Sequence, residues 1–339
     1  MGYLGSRPEG SDIPADPGDF PWARLGTYSR TRDIVSKIVQ HVAMAHVDLL
    51  AQPVTAQGSG DRLGRLRYLA WGCLIATESA VVVAVVALVV SGLPWSFLFP
   101  SYAVNNAWLA ATFAPFGAMV AARKPHLVIG WLFCAYSLLY GLAAAGVSLA
   151  FCAYGNRHFT VVSAYEGWIG ISIWTLGASF CLPLLIILFP DGRLPSRHWR
   201  WLVAAIVATS LVWLVSWATD PSLLDGTPWA RYVPVLPAGW GHVAHWTDAS
   251  MDWATDLLLV VALIGLFVRW RGSNGRERSQ LSWLLWGVTI ALALEAPTAI
   301  DNGTPSVWAS LLMIGFPVMA VAACIALLRH RLFDIDFVI

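Results

Sequence analysis

Residues 68–92 read YLAWGCLIATESAVVVAVVALVVSG, a run whose only charged side chain is Glu78. About 20 apolar residues in a helix cross a hydrocarbon core of roughly 30 Å, and a strand of a globular protein is far shorter than this run. Arg62, Arg65 and Arg67 stand immediately before it, and Gly92 and Pro94 close it. The stretch predicts a transmembrane helix with a basic flank at its start.

Seven further apolar segments follow, at about 103–122, 127–153, 167–189, 199–218, 253–270, 281–300 and 307–328. Two are weaker: 103–122 has Asn105, Asn106 and Pro115, and 281–300 has Glu295 and Pro297. The chain as a whole is 58% hydrophobic and 12% charged, against about a quarter charged for a soluble domain. Its 19 Trp residues gather near the ends of the apolar runs, where an amphipathic ring favours the bilayer interface.

Arginine placement sets the expected number of spans. Arg62, Arg65, Arg67, Arg123, Lys124, Arg193, Arg197 and Arg200 fall on one side of an eight-span layout. So do Arg269, Arg271, Arg276, Arg278, Arg329 and Arg331. The other side has Arg157 and Arg231, with the acids Glu166, Asp220, Asp225, Asp248, Asp252 and Asp301. Removing either weak segment would put neighbouring basic flanks on opposite faces. By the positive-inside rule both termini lie in the cytoplasm of a multi-pass protein of the cell membrane.

The expected class is therefore all-α, a polytopic transmembrane helix bundle of about eight spans with a polar, partly disordered N-terminal tail. The tail covers residues 1–60. Its first 20 residues are rich in Pro, Gly and acid, and one amphipathic helix is expected over 29–50. The membrane domain spans 61–330, and 331–339 form a C-terminal stub. The longest connection on the acidic side, about 219–252, is rich in Pro, Gly and Trp.

Few residues invite chemistry. Glu78 near mid-depth and Glu295 in the seventh span could relay protons or hold a cation, since charge in hydrocarbon is costly. A protonated glutamate can equally hydrogen-bond a neighbouring helix and serve only packing. His242, His245, Asp248, Asp252 and Asp256 recur at offsets of 3 and 4 and would align on a helix. Imidazole with carboxylate suits a divalent ion. Gly239 and Gly241 argue instead that the helix starts late, leaving a solvated acidic rim.

No metal or other cofactor is expected. The five cysteines are scattered without a CxxC pair, and phosphate-loop, HExxH and GxSxG patterns are absent from the sequence. A net charge of +1 gives no basis for nucleic-acid binding. The expected partners are the lipid bilayer, with a second copy of the chain or a separate cytoplasmic signalling protein beside it.

Three segments on the basic side are distinctive. Leu188-Phe189-Pro190-Asp191-Gly192-Arg193-Leu194-Pro195-Ser196-Arg197 is a sharp turn, with Pro190 stopping the helix and Asp191-Gly192 suited to the bend. Gly275-Arg276-Glu277-Arg278-Ser279-Gln280-Leu281-Ser282-Trp283-Leu284 is a polar cap leading into a span. The third is Leu328-Arg329-His330-Arg331-Leu332-Phe333-Asp334-Ile335-Asp336-Phe337-Val338-Ile339.

Together with Lys124-Pro125-His126-Leu127-Val128-Ile129-Gly130-Trp131-Leu132-Phe133, these segments resemble the N-terminal membrane region of a family of actinobacterial sensor histidine kinases. The likeness covers about residues 120–339, with all four motifs in order. It singles out Asp191, Gly192 and Arg193 in the turn, and Asp334 and Asp336 in the closing element. In such kinases the closing element leads on to a phospho-accepting histidine helix and an ATP-binding domain, and none of those residues occurs here. The resemblance thus implies a sensory, signal-transmitting membrane module with no catalytic domain of its own. A small-solute or ion transporter or channel using Glu78 and Glu295 is the alternative.

Overall fold

The structure, a computed structural model, describes residues 60–94, 98, 102–220, 227–229, 231–232, 237–300 and 315–332. The expected tail helix at 29–50 lies outside them, as do Asp334 and Asp336. Every regular element among the described residues is helical. The helices are α1 (Gly60–Ser91), α2 (Ala103–Arg123), α3 (Val128–Gly155), α4 (Val161–Leu176) and α5 (Leu182–Leu188). They continue with α6 (Arg200–Thr219), α7 (Gly241–Gly272), α8 (Gly275–Ile300) and α9 (Gly315–Leu332).

Five rods are long and apolar enough to cross a membrane: Leu63–Ser91, Val128–Gly155, Val161–Leu188, Arg197–Thr219 and Gly241–Gly272. The chain is an integral membrane protein. The other three expected segments fall on α2, α8 and α9. α2 is diluted by Asn105 and Asn106, which are buried against its neighbours. α8 opens with a polar turn, and α9 is described only from Gly315.

Burial separates centre from rim. α3 and the α4–α5 rod are mostly buried, whereas α1, α6 and α7 turn most of their surface outward. The outward residues are apolar, including Val82, Val85, Leu211, Val215, Leu257, Val260 and Ile264. Such a face is stable only against lipid. At the centre Phe113, Tyr136 and Tyr140 stack in series, with ring centroids 4.5 Å apart at each step. Lipid tails are as apolar as leucine, so these contacts hold helices together by close packing more than by escape from water.

Small residues permit that closeness. Gly146 of α3 and Gly170 of α4 face each other so tightly that a methyl on Gly170 would lie 2.7 Å from the Val147 nitrogen. The α4–α5 rod contains one wide π turn, Gly177–Cys181, directly before Pro183. Proline has no N–H and its ring crowds the carbonyl four residues back, here Ser179, so widening the helix accommodates it. Pro115 and Pro297 stand inside continuous helices, and Pro317 is the third described residue of α9.

Helix ends follow local chemistry. Thr160 caps α4, its hydroxyl accepting from the Ser163 N–H at 3.3 Å. Asn156 closes α3 and ties it to α1, its amide donating to Cys152 O at 2.8 Å and Val90 O at 3.2 Å. One expectation is corrected here. α7 begins at Gly241, not late, because a 3-10 turn over Ala238–Trp240 feeds straight into it. The helix is 32 residues long, about 48 Å at 1.5 Å per residue, so it extends well beyond a bilayer core.

Candidate functional site

Three of the motif segments, far apart in the chain, meet at one end of the bundle beside the end of α9, and Arg269 organises the meeting. It stands in the last turn of α7, its side chain 17% exposed. Its Nε donates to Glu277 Oε1 at 2.7 Å, and a terminal nitrogen donates to Asp191 Oδ1 at 3.0 Å. The other terminal nitrogen reaches Phe189 O at 3.1 Å and Arg193 O at 3.5 Å. A planar guanidinium has five donors in a fixed fork, so one side chain binds a loop and a helix start together.

The loop is shaped to receive it. The Phe189–Pro190 peptide is cis, and Gly192 has φ +78°, a left-handed conformation in which a Cβ is strained. The Gly192 N–H returns to Leu188 O at 2.7 Å, and the Arg193 N–H contacts Asp191 Oδ1 at 3.4 Å. Trp199 lays its ring on Gly265 of α7, where any larger residue would collide. A space of about 350 Å³ lies between this loop and α7, lined in part by Asp191, Arg193 and Arg269.

Across α7 and α8 the hairpin is tight. Trp270 Nε1 donates to Ser282 Oγ at 2.8 Å, and Arg278 stacks over the Trp270 ring at 5.1 Å. Gln280, one turn beyond Glu277, donates from Nε2 to Ala326 O of α9 at 3.0 Å. Lys124, in the α2–α3 turn, donates from Nζ to the next carbonyl, Leu327 O, at 2.8 Å. The same turn lies under the Gly192 loop, where an added methyl would meet Leu127 Cδ1 and the Val128 nitrogen at 3.7 Å.

Hydrogen bonds and ion pairs make most of a ring, and between the α2–α3 turn and the Gly192 loop it is completed by apolar packing alone, with Leu127 and Phe189 in one buried cluster. From α9 it runs through Lys124 to the α2–α3 turn, across to Gly192, through Asp191, Arg269 and Glu277 into α8, and through Gln280 back to α9. Carbonyl oxygens have two lone pairs, so Ala326 and Leu327 accept these donors beside their helical bonds.

The structure therefore brings Asp191, Gly192 and Arg193 together with the second motif and the end of α9. Two further residues join them, Arg269 and Glu277, which in the sequence stand out only as a flanking charge and as part of a motif. Their pairing across eight residues needs the hairpin at Ser273–Gly275. The Gly275 after a run of arginines was the one signal for it.

The other candidates lie elsewhere. Glu78 is half-buried on α1 and has no hydrogen-bond or ion-pair partner among the described residues. The backbone of Glu295 is helical in α8 and its side chain lies outside the described residues. His242 and His245 are exposed in the first turns of α7. Asp248 accepts a 2.9 Å hydrogen bond from Trp213 Nε1, which joins α6 to α7. Among the described residues no three His, Cys, Asp or Glu side chains converge as a metal site.

The end near Asp248 is an aromatic knot. Trp174, Trp213 and Trp217 meet edge to face at 5.2 to 6.3 Å, and Trp168 Nε1 donates to Ala218 O at 2.7 Å. From the connection between α6 and α7, Trp229 drops fully buried into a socket beside Phe151 and Ala150. Gly167 floors that socket, since a methyl there would lie 2.6 Å from the Trp229 ring.

Compared with known proteins, the chain finds no match among protein-family models, among curated proteins or among solved structures.

Proposed function

We propose that this protein is the sensory, signal-transmitting module of a membrane signalling system, akin to the membrane region of sensor histidine kinases and without catalytic residues of its own. In this reading it has eight spans, lies in the cell membrane, and keeps its basic end and both termini in the cytoplasm. The observation that carries the reading is the closed ring at the basic end. Two segments more than a hundred residues apart in the chain reach two adjacent carbonyls of α9, Lys124 at Leu327 O and Gln280 at Ala326 O, and Arg269 ties the 189–193 loop to the second of them.

The rod that would transmit a stimulus is α7. Asp248, held by Trp213, and Arg269, held by the ring, lie on this one uninterrupted helix, about 32 Å apart at 1.5 Å per residue. A ligand that disturbs the Trp229 socket or the aromatic knot displaces the start of α7. A rigid helix carries the shift to Arg269, and the ring hands it to α9. Transmission of this kind requires two packings of similar energy, one of which the stimulus favours. The partner would be a cytoplasmic kinase or response regulator, or a second copy of the chain.

The test compares response-regulator phosphorylation in source cells, on phosphate-affinity gels, for wild type, deletion and Arg269→Gln. The reading expects at least one regulator to change in the deletion strain, and Arg269→Gln to reproduce that change at wild-type membrane abundance. No change in any regulator, with a solute or proton flux in liposomes that Glu78→Gln abolishes, would establish transport instead.

A further inference from the structure

A second cavity of about 480 Å³ opens between α1, α2 and α9, and its lining is unlike the first. Arg67, Arg123 and Lys124 contribute three cations, Trp71 forms one side, and Leu327 and Leu328 form the back. Among the described residues no carboxylate lines it. Arg67 and Arg123 are exposed and have no acid partner among the described residues. The like charges of Arg67 and Arg123 on one hollow repel each other, and an anion between them removes that repulsion.

Depth and surface decide which anion. The apolar part of α1, Leu63–Ser91, has 29 residues, about nine more than a bilayer core requires. Arg67 and Trp71 fall in its first turns, so they stand at headgroup level. Trp71 is 48% exposed, next to Tyr68 at 72% and Leu69 at 58%. An aromatic and apolar rim facing outward at that depth is a lipid-facing rim. Guanidinium forks fit phosphate oxygens in pairs, and basic pockets between membrane helices on the cytoplasmic side suit anionic headgroups.

We propose that this cavity binds the phosphate of an anionic phospholipid, with the guanidinium groups of Arg67 and Arg123 on the phosphate oxygens and Trp71 at the glycerol level. Lys124 belongs both to this pocket and to the ring, through its hydrogen bond to Leu327 O. The lipid therefore sits where it bears on the end of α9. The inference stands whether or not the protein signals.

The test uses the full chain purified in neutral detergent and titrated with phosphatidylglycerol, with phosphatidylcholine, and with inorganic phosphate at millimolar concentration. Phosphatidylglycerol is expected to raise the melting temperature by several degrees, and the other two to leave it in place. In Arg67→Gln/Arg123→Gln the apparent affinity for phosphatidylglycerol falls by roughly fivefold per arginine removed. The control Arg197→Gln/Arg200→Gln, which removes exposed cations from the same end but not from the pocket, keeps the wild-type affinity. Native mass spectrometry of the same samples counts retained lipid, so a poorly folding variant is recognised by its melting in phosphatidylcholine and replaced by Arg67→Lys/Arg123→Lys, which keeps most of the affinity. Equal shifts with both lipids, an unchanged affinity in the Gln variant, or a full shift with phosphate alone would overturn the proposal.

Discussion

The Arg269 guanidinium lies between two carboxylates, 3.0 Å from Asp191 Oδ1 and 2.7 Å from Glu277 Oε1, and so fastens the loop after α5 to the start of α8. Both carboxylates are nearly half exposed, so their attraction is screened and small. The bond to the Phe189 carbonyl, made by a side chain that is largely buried, adds to it. Arg269→Gln is expected to destabilise the protein by about 1–2 kcal/mol. Arg269→Lys restores less than half, because a point charge cannot reach both carboxylates and the carbonyl. Thermal melting in nanodiscs reads this, and high salt should shrink the difference between wild type and variant.

Gly192 is the bend on which the loop depends. Its φ of +78° is one that a Cβ resists, while the surrounding space leaves 3.7 Å to Leu127. Gly192→Ala should therefore cost about 1–2 kcal/mol from the backbone alone, and Gly192→Asn less. Melting of the two variants side by side checks this. An alanine variant as stable as wild type would show that the loop is free to bend another way.

At the opposite end, Trp229 should behave as a plug. Its ring is fully buried, and its Nε1 has no hydrogen-bond partner among the described residues. Trp229→Phe loses volume without losing a bond, whereas Trp229→Ala empties the socket and should cost about 3–5 kcal/mol. Gly167→Ala forces the ring out from below and should resemble Trp229→Ala. Proteolysis of the connection between α6 and α7 reports the release: fast in both, slow in Trp229→Phe.

Asp248 is bound through its role as an acceptor. Asp248→Asn keeps an oxygen for Trp213 Nε1 and should melt within about 0.5 kcal/mol of wild type, whereas Asp248→Ala should lose about 1 kcal/mol. Equal losses in both variants would mean that its charge, not this bond, matters.

What the sequence made legible was whatever repeats along a helix. Residues 68–92 announced α1 without ambiguity, and the arginine flanks picked out the end where the loops meet. The start of α7 was misjudged because Gly239 and Gly241 weaken helix propensity locally, while α7 is held by packing and by the Trp213–Asp248 bond. Asp191 and Gly192 stood out as turn chemistry. Arg269 read as one flanking charge among several, since a topological argument counts arginines without asking what each one binds. The targets of Lys124 and Gln280 were beyond reach in principle, because a backbone carbonyl bears no mark of its residue. Trp229 was one tryptophan of 19, and only its socket of Gly167 and Ala150 distinguishes it.

Whether the ring moves as one unit is read by amide hydrogen exchange on Arg269→Gln in nanodiscs. The carbonyls of Ala326 and Leu327 accept, four residues on, from the amides of His330 and Arg331. If the ring is one mechanical unit, exchange rises in 189–193 and 275–280, and equally at His330 and Arg331, which Arg269 does not touch. Faster exchange confined to the two segments that Arg269 contacts, with His330 and Arg331 unchanged, would contradict the coupling and leave Arg269 a local fastener.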